Sequence, residues 1–272
     1  MHIVVCVKQV PDTTEVRVDP QTNTLIREGV SSIINPYDAH AVEEAVSLKK
    51  RHGGRVTVIS MGPPQAEEVI RRSIAMGADK GILLSDRNFA GSDTLATSYI
   101  LAMGIIKITE EHPVDLVLCG KQAIDGDTAQ VGPGIAVRLG MPLLTYVMKI
   151  ESVDLSSREI KVHRKLEEKK VLVASRMPAV LTVVKDINEL SYSSLPNLLR
   201  AARYRAIIWS QQDLEVDTEQ IGLRGSPTSV SKIFAPPQRG QGEIIKGGRD
   251  NPENAARILV DKLLKTKIIA NK

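Results

Sequence analysis

Apolar residues in the first half of the chain gather in short, continuous runs separated by longer stretches with helical spacing. Runs at residues 3–7, 55–61, 81–84 and 115–119 lack strict alternation, which predicts strands buried on both faces. Between them lie helical patterns. One starts at Asn35-Pro36, with Asn35 as candidate N-cap, and carries Ala41, Val42, Ala45, Val46 and Leu48 on one side before Gly53-Gly54. Others run through Ile74 to Gly77, over residues 94–110, and from Thr128 or Ala129 to Leu139, with Gly140 as the stop. Residues 15–28 alternate around Asp19-Pro20 and predict a surface β-hairpin. Strand–helix alternation of this kind predicts an α/β fold with a doubly wound, mostly parallel sheet.

The pattern changes after Leu144. Segments 147–153, 159–166 and 170–174 predict an antiparallel addition, and 179–184 a returning strand. From Lys185 no strong period appears until a C-terminal helix at residues 252–267, and the stretch between is rich in Pro, Gly, Ser and Arg. The division expected is a binding domain at 1–185 and a partner-recognition segment with a C-terminal arm at 186–272, because so long an irregular stretch suits an arm lying on a partner.

Composition narrows the possibilities. With 42% apolar and 25% charged residues, the 272-residue chain has ordinary globular composition. No apolar run reaches the roughly 20 residues of a membrane span. A net charge of +4 with acidic residues spread throughout, one Trp, five Tyr and two Phe argue against a nucleic-acid module. Cys6 and Cys119 fall in apparent strands and read as small buried hydrophobes, which fits a cytoplasmic protein. The five histidines are scattered and read as solvated; no metal-ligand spacing and no nucleophile elbow is present. Any chemistry would then belong to a cofactor.

The most informative segment is Gly120-Lys121-Gln122-Ala123-Ile124-Asp125-Gly126-Asp127-Thr128-Ala129-Gln130-Val131, which follows a strand and leads into a helix. A glycine-bearing loop at a helix start offers free N–H groups and the positive end of the helix dipole, a combination that holds phosphate. Asp125 and Asp127 suit either ribose hydroxyls or helix capping; an ordinary strand–helix turn gives the same pattern. Three more loops reach the same sheet edge: residues 6–12, 61–64 with Met61 and Gly62, and 85–97 with Asp93, Thr94 and Thr97. Ligands of doubly wound sheets bind at that edge. Two helix starts there suit a diphosphate, although neither a dinucleotide fingerprint nor a Walker loop is present.

Several separate segments, in order, resemble the β subunit of electron transfer flavoproteins: Cys6-Val7-Lys8-Gln9-Val10-Pro11-Asp12, Asn35-Pro36-Tyr37-Asp38, Ala75-Met76-Gly77-Ala78-Asp79, Gly120 to Asp127, and Ser194-Leu195-Pro196-Asn197. The resemblance implies an adenine-nucleotide-hydrolase-like α/β subunit paired with a larger, flavin-holding α subunit. It implies nucleotide contacts at Cys6, Asn35 to Asp38, Met61 and Gly120 to Val131, with Val7 and Lys8 beside them. Tyr37 would lie toward the FAD of the α subunit. Leu195, Pro196 and Asn197 would dock an acyl-CoA or related dehydrogenase, with Arg200, Arg203 and Arg205 alongside. Residues 85–98 and Gly225-Ser226-Pro227-Thr228 further resemble the electron-bifurcating branch, which carries FAD in place of AMP in the β subunit, with Thr94 and Thr97 as diphosphate donors. That branch takes a hydride from NADH and divides the electrons between ferredoxin or flavodoxin and the α-subunit flavin. The alternatives are a non-bifurcating carrier holding AMP and a stand-alone adenine-nucleotide module; an ATP-pyrophosphatase would need a Ser/Gly-rich loop where Val7 to Asp12 stand.

Overall fold

A computed structural model describes residues 1–12, 17–18, 25–26, 32–231, 242–245 and 248–266. In chain order the elements are β1 (His2–Cys6), β2 (Gln9–Pro11), β3 (Arg17–Val18), β4 (Leu25–Ile26), β5 (Ser32–Ile34), α1 (Pro36–His52), β6 (Arg55–Met61), α2 (Glu67–Met76), β7 (Lys80–Leu84) and α3 (Thr94–Glu111). There follow β8 (Leu116–Gly120), α4 (Val131–Leu139), β9 (Leu143–Asp154), β10 (Glu159–Lys165), β11 (Lys170–Arg176), β12 (Ala179–Val183), α5 (Leu195–Arg203), β13 (Ile207–Trp209), α6 (Gln211–Leu214) and α7 (Pro252–Lys265).

Nine strands form one sheet in the order β11-β10-β9-β12-β8-β1-β6-β7-β13. From β9 to β13 every neighbouring pair is parallel, whereas β9, β10 and β11 pair antiparallel. Burial follows this division: β1 and β12 are buried at every residue, while β11 alternates between half-buried and exposed. α1 and α2 cover one face through Val42, Val46, Val69 and Ile70; α3 and α4 cover the other through Ile100, Ile105 and Ile135. The chain leaves β1 toward β6 and β7, then returns across to β8 and β12. The crossovers after β1 and β8 therefore part in opposite directions, and the switch point lies between these strands.

The antiparallel hairpin of residues 15–28 is represented among the described residues by the β3–β4 pairing; the rest of it lies outside them. Two expectations need correction. α4 begins at Val131, not at Thr128 or Ala129, because Asp127 and Ala129 adopt left-handed φ of 51° and 55° and the chain cannot coil through them. Residues 186–231 are also more regular than their composition suggests. Ser194 caps α5, Pro196 stands in its first turn, and β13 adds to the sheet edge with Ile207 opposite Ile82. The first compact unit consequently runs Met1–Ile233. The second, Phe234–Lys272, contains α7, capped by the Asn251 side chain accepting from the Asn254 N–H at 3.0 Å. No helix among the described residues is long and apolar enough to cross a membrane.

Candidate nucleotide site

A cavity of about 560 Å³ opens at the carboxyl ends of β1, β6 and β8, beside the starts of α3 and α4. Its first wall depends on two buried polar side chains from the α1 start. Asn35, 1% exposed, makes no cap bond to its own helix. Its amide instead donates to the Gln122 carbonyl at 2.9 Å and accepts from the Ile124 N–H at 3.2 Å, clasping the loop after β8. Asp38 accepts from the Lys8 N–H at 2.8 Å and the Gly120 N–H at 3.1 Å, joining the ends of β1 and β8 across the switch point. Burial pushes its carboxyl up to about 7, against hydrogen bonds from Asn35, Lys8 and Gly120 that favour the charged form. Only glycine fits at 120: a Cβ there would stand 2.2 Å from Asp38 Oδ1 and 2.7 Å from Tyr37 Cβ.

The loop itself is held open. Asp127 N–H donates to the Ala123 carbonyl at 2.9 Å, and Gln122 Nε2 donates to Asp127 Oδ1 at 2.6 Å. Lys8 Nζ reaches both oxygens of Asp125 at 2.7 Å. The two helix starts differ. No side chain caps α4, whose Gln130 turns its amide oxygen to the Thr94 hydroxyl at 2.9 Å. Asp93 caps α3, accepting from the Leu95 and Ala96 N–H groups at 2.9 and 3.1 Å. α4 therefore presents free N–H groups and a positive dipole end at the cavity, whereas α3 offers the hydroxyls of Thr94 and Thr97.

Of the expected site residues, Cys6, Val7, Lys8, Asn35, Asp38, Met61, Asp93, Thr94, Thr97, Gly120, Lys121, Gln122, Ala123, Gly126, Thr128, Ala129, Gln130 and Val131 line this cavity. Pro36, Tyr37, Gly62, Ile124, Asp125 and Asp127 do not. Gly62 donates to the Leu84 carbonyl at 3.1 Å, and Asp125 and Asp127 serve the loop's own bonds. Tyr37 faces a second, open cleft of about 880 Å³, where the Lys185 ammonium lies 5.1 Å from its ring centroid and Lys121 lies 5.4 Å from that of Tyr146. Sequence reasoning missed Ser92, Leu101, Cys119, Gly132 and Val230. For Cys119 a signal existed: it stands opposite Cys6 in register, and both thiols are buried and free. The hydrogen bond with Cys6, together with burial, pushes the Cys119 thiol upward, which disfavours the thiolate. Val230 had none, since only the tertiary fold returns it to the site.

Outside the cavity, Leu195 is 68% exposed, with Leu198 and Leu199 beside it on α5. Arg200 is not free to flank them: its guanidinium donates to the carbonyls of Ile74 and Ala78 at 3.1 and 2.8 Å, anchoring α5 to the end of α2. His2 is likewise not solvated; it is buried, with Nε2 2.9 Å from the Thr57 hydroxyl. Among the described residues, no three His, Cys, Asp or Glu side chains converge as metal ligands.

The electron transfer flavoprotein domain family matches residues 22–213. Protein FixA of Azotobacter vinelandii is 52% identical to this chain over 97% of it and 94% of the relative. The caffeyl-CoA reductase–Etf complex subunit CarD of Acetobacterium woodii is 48% identical over 99% of this chain and all of its own length. The electron transfer flavoprotein subunit beta of Clostridium acetobutylicum is 48% identical over 97% and 98%. Family match, near full-length similarity and a parallel sheet with its cavity at the switch point agree: the chain belongs to the electron transfer flavoprotein family, as a β subunit.

Proposed function

We propose that this β subunit binds FAD in the cavity at the β1–β8 switch point and serves in electron bifurcation with a flavin-bearing α subunit. The observation that carries the reading is the cavity's two-sided construction. One wall, built from Asn35, Asp38 and the loop after β8, offers the uncapped start of α4 to a phosphate; the opposite wall offers Thr94 and Thr97 to a second one. Its volume of about 560 Å³ falls within the roughly 300–1,000 Å³ of small-molecule pockets. When bound, FAD supplies hydride acceptance from NADH and single-electron delivery to ferredoxin or flavodoxin and, through the α-subunit FAD, to a dehydrogenase. The chain's own part is positioning: Asn35 and Asp38 hold the phosphate-facing backbone in place, and the buried Cys6 and Cys119 contribute small side chains to the lining. The name of the Acetobacterium relative ties that protein to a caffeyl-CoA reductase, which supports an acyl-CoA-type acceptor for this one.

A second reading, AMP in the same cavity and no bifurcation, is favoured by one feature. Asp93 already occupies the first N–H groups of α3 and sets a carboxylate where a second phosphate would approach. Anaerobic assay of the heterodimer with its dehydrogenase separates the two. Bifurcation requires NADH-driven ferredoxin reduction that occurs only while the dehydrogenase acceptor is present; acceptor reduction with no ferredoxin requirement supports the AMP reading.

A further inference from the structure

The chain has two cysteines, and the fold sets them side by side. Cys6 ends β1, Cys119 stands one residue before the end of β8, and the two pair in register on adjacent parallel strands. Both lie on the α3–α4 face of the sheet, where they share one core cluster and line the cavity. Both are free thiols, hydrogen-bonded to each other. Gly132, in the first turn of α4, lies against the pair: a Cβ there would stand 3.5 Å from Cys119 Cβ and 3.8 Å from its Sγ. The switch point and the uncapped start of α4 therefore meet at two oxidisable sulfur atoms.

Adjacent strands lie about 4.8 Å apart. That spacing falls inside the roughly 4.4–6.8 Å between the Cα atoms of a disulfide, but exceeds the roughly 3.5–4.5 Å between its Cβ atoms. A bond between the two sulfurs is thus within reach, and closing it draws the ends of β1 and β8 together. These are the strand ends that Asp38 joins through the Lys8 and Gly120 N–H groups.

We propose that Cys6 and Cys119 form an oxidisable pair that closes to a disulfide when the cavity is empty, contracting the cavity so that disulfide and nucleotide exclude each other. With a peroxide as oxidant, one thiol takes up an oxygen to become a sulfenic acid, and the first water leaves. The neighbouring sulfur then attacks that sulfur; the S–O bond breaks, and the departing hydroxide leaves with the second thiol's proton as another water. Two electrons pass from the pair to the peroxide. Burial disfavours the thiolate at Cys119, so closure is slow and an occupying nucleotide has time to prevent it. The mutual exclusion rests on the cavity being the β-subunit nucleotide site; the bond itself does not.

The test uses the full heterodimer, stripped of its β-site nucleotide and first titrated with FAD and with AMP. Uptake of neither overturns the site reading, and is seen before any oxidant is added. Stripped and FAD-reloaded forms are then treated with hydrogen peroxide, alkylated and digested with trypsin. The stripped form is expected to yield residues 1–8 linked to residues 108–121, a product lost on reduction and absent from Cys6→Ser and Cys119→Ser. With FAD at about ten times its Kd, linkage is expected to slow roughly tenfold, in proportion to the unoccupied fraction. By reciprocity the oxidised heterodimer binds FAD about tenfold or more weakly, and dithiothreitol restores the affinity. Each serine variant keeps whatever FAD affinity it starts with through the same peroxide treatment. Cysteines recovered unlinked from the stripped form overturn the pair. Linkage that is equally fast with FAD bound, or that leaves FAD affinity unchanged, overturns the mutual exclusion.

Discussion

Asn35 and Asp38 show how much of the site depends on individual buried polar atoms. Both read from the sequence as helix-start residues, and both stand there, but their side chains leave the helix and secure the strand ends across the switch point. Residue type and position were legible; the partners were not, because Asn35 and Gln122 are 87 positions apart and only the sheet order brings them together. The same holds for Asp127 and Thr128, good capping residues by type, which the loop's left-handed turns leave outside α4. Asp38 also carries a pH signature. Its carboxyl titrates near 7 in the folded protein and about 3.8 in the ordinary case, so the folded state binds the proton more tightly than the unfolded state. Its contribution to stability is therefore fully present below about pH 4 and is lost as pH rises through 7. Melting temperatures of the wild type relative to Asp38→Asn should fall between pH 5 and 7.5 and level off above 8; a difference that is flat or rises over that range contradicts the assignment.

At the scale of elements, the buried strands were the most legible features. β1, β6, β7 and β8 emerged from continuous apolar runs, and α1, α2 and α4 ended at Gly53, Gly77 and Gly140 as the residue types dictate. β13 and α6 were not legible. Three or four residues carry no measurable period, and β13 is a strand only because β7 offers it an open edge. α5 is a middle case: its Ser194-Leu195-Pro196 start was visible as a resemblance, while its anchoring through Arg200 was not. With Arg200 committed to α2, the exposed surface of α5 is chiefly Leu195, Leu198 and Leu199. A partner-docking role for α5 predicts that Leu195→Ala slows electron delivery to the dehydrogenase by about tenfold or more, as for an interface anchor. Flavin content and thermal stability should stay unchanged, and steady-state kinetics with flavin analysis checks both. An unchanged rate removes α5 from the docking surface.

At the scale of the whole molecule, the doubly wound order decides where chemistry can occur. Reversal between β1 and β8 opens the crevice; α4 points its uncapped start at it, and the start of α3, the loop after β8 and Val230 line it. On the proposed function the redox chemistry belongs to the bound cofactor, and the chain's part is to position it. The central claim is that the enclosed nucleotide is FAD. It is tested most directly by denaturing the purified heterodimer, counting released flavin per αβ unit and identifying every released nucleotide by mass. Two FAD and no AMP per heterodimer is the predicted result; one FAD together with one AMP contradicts it.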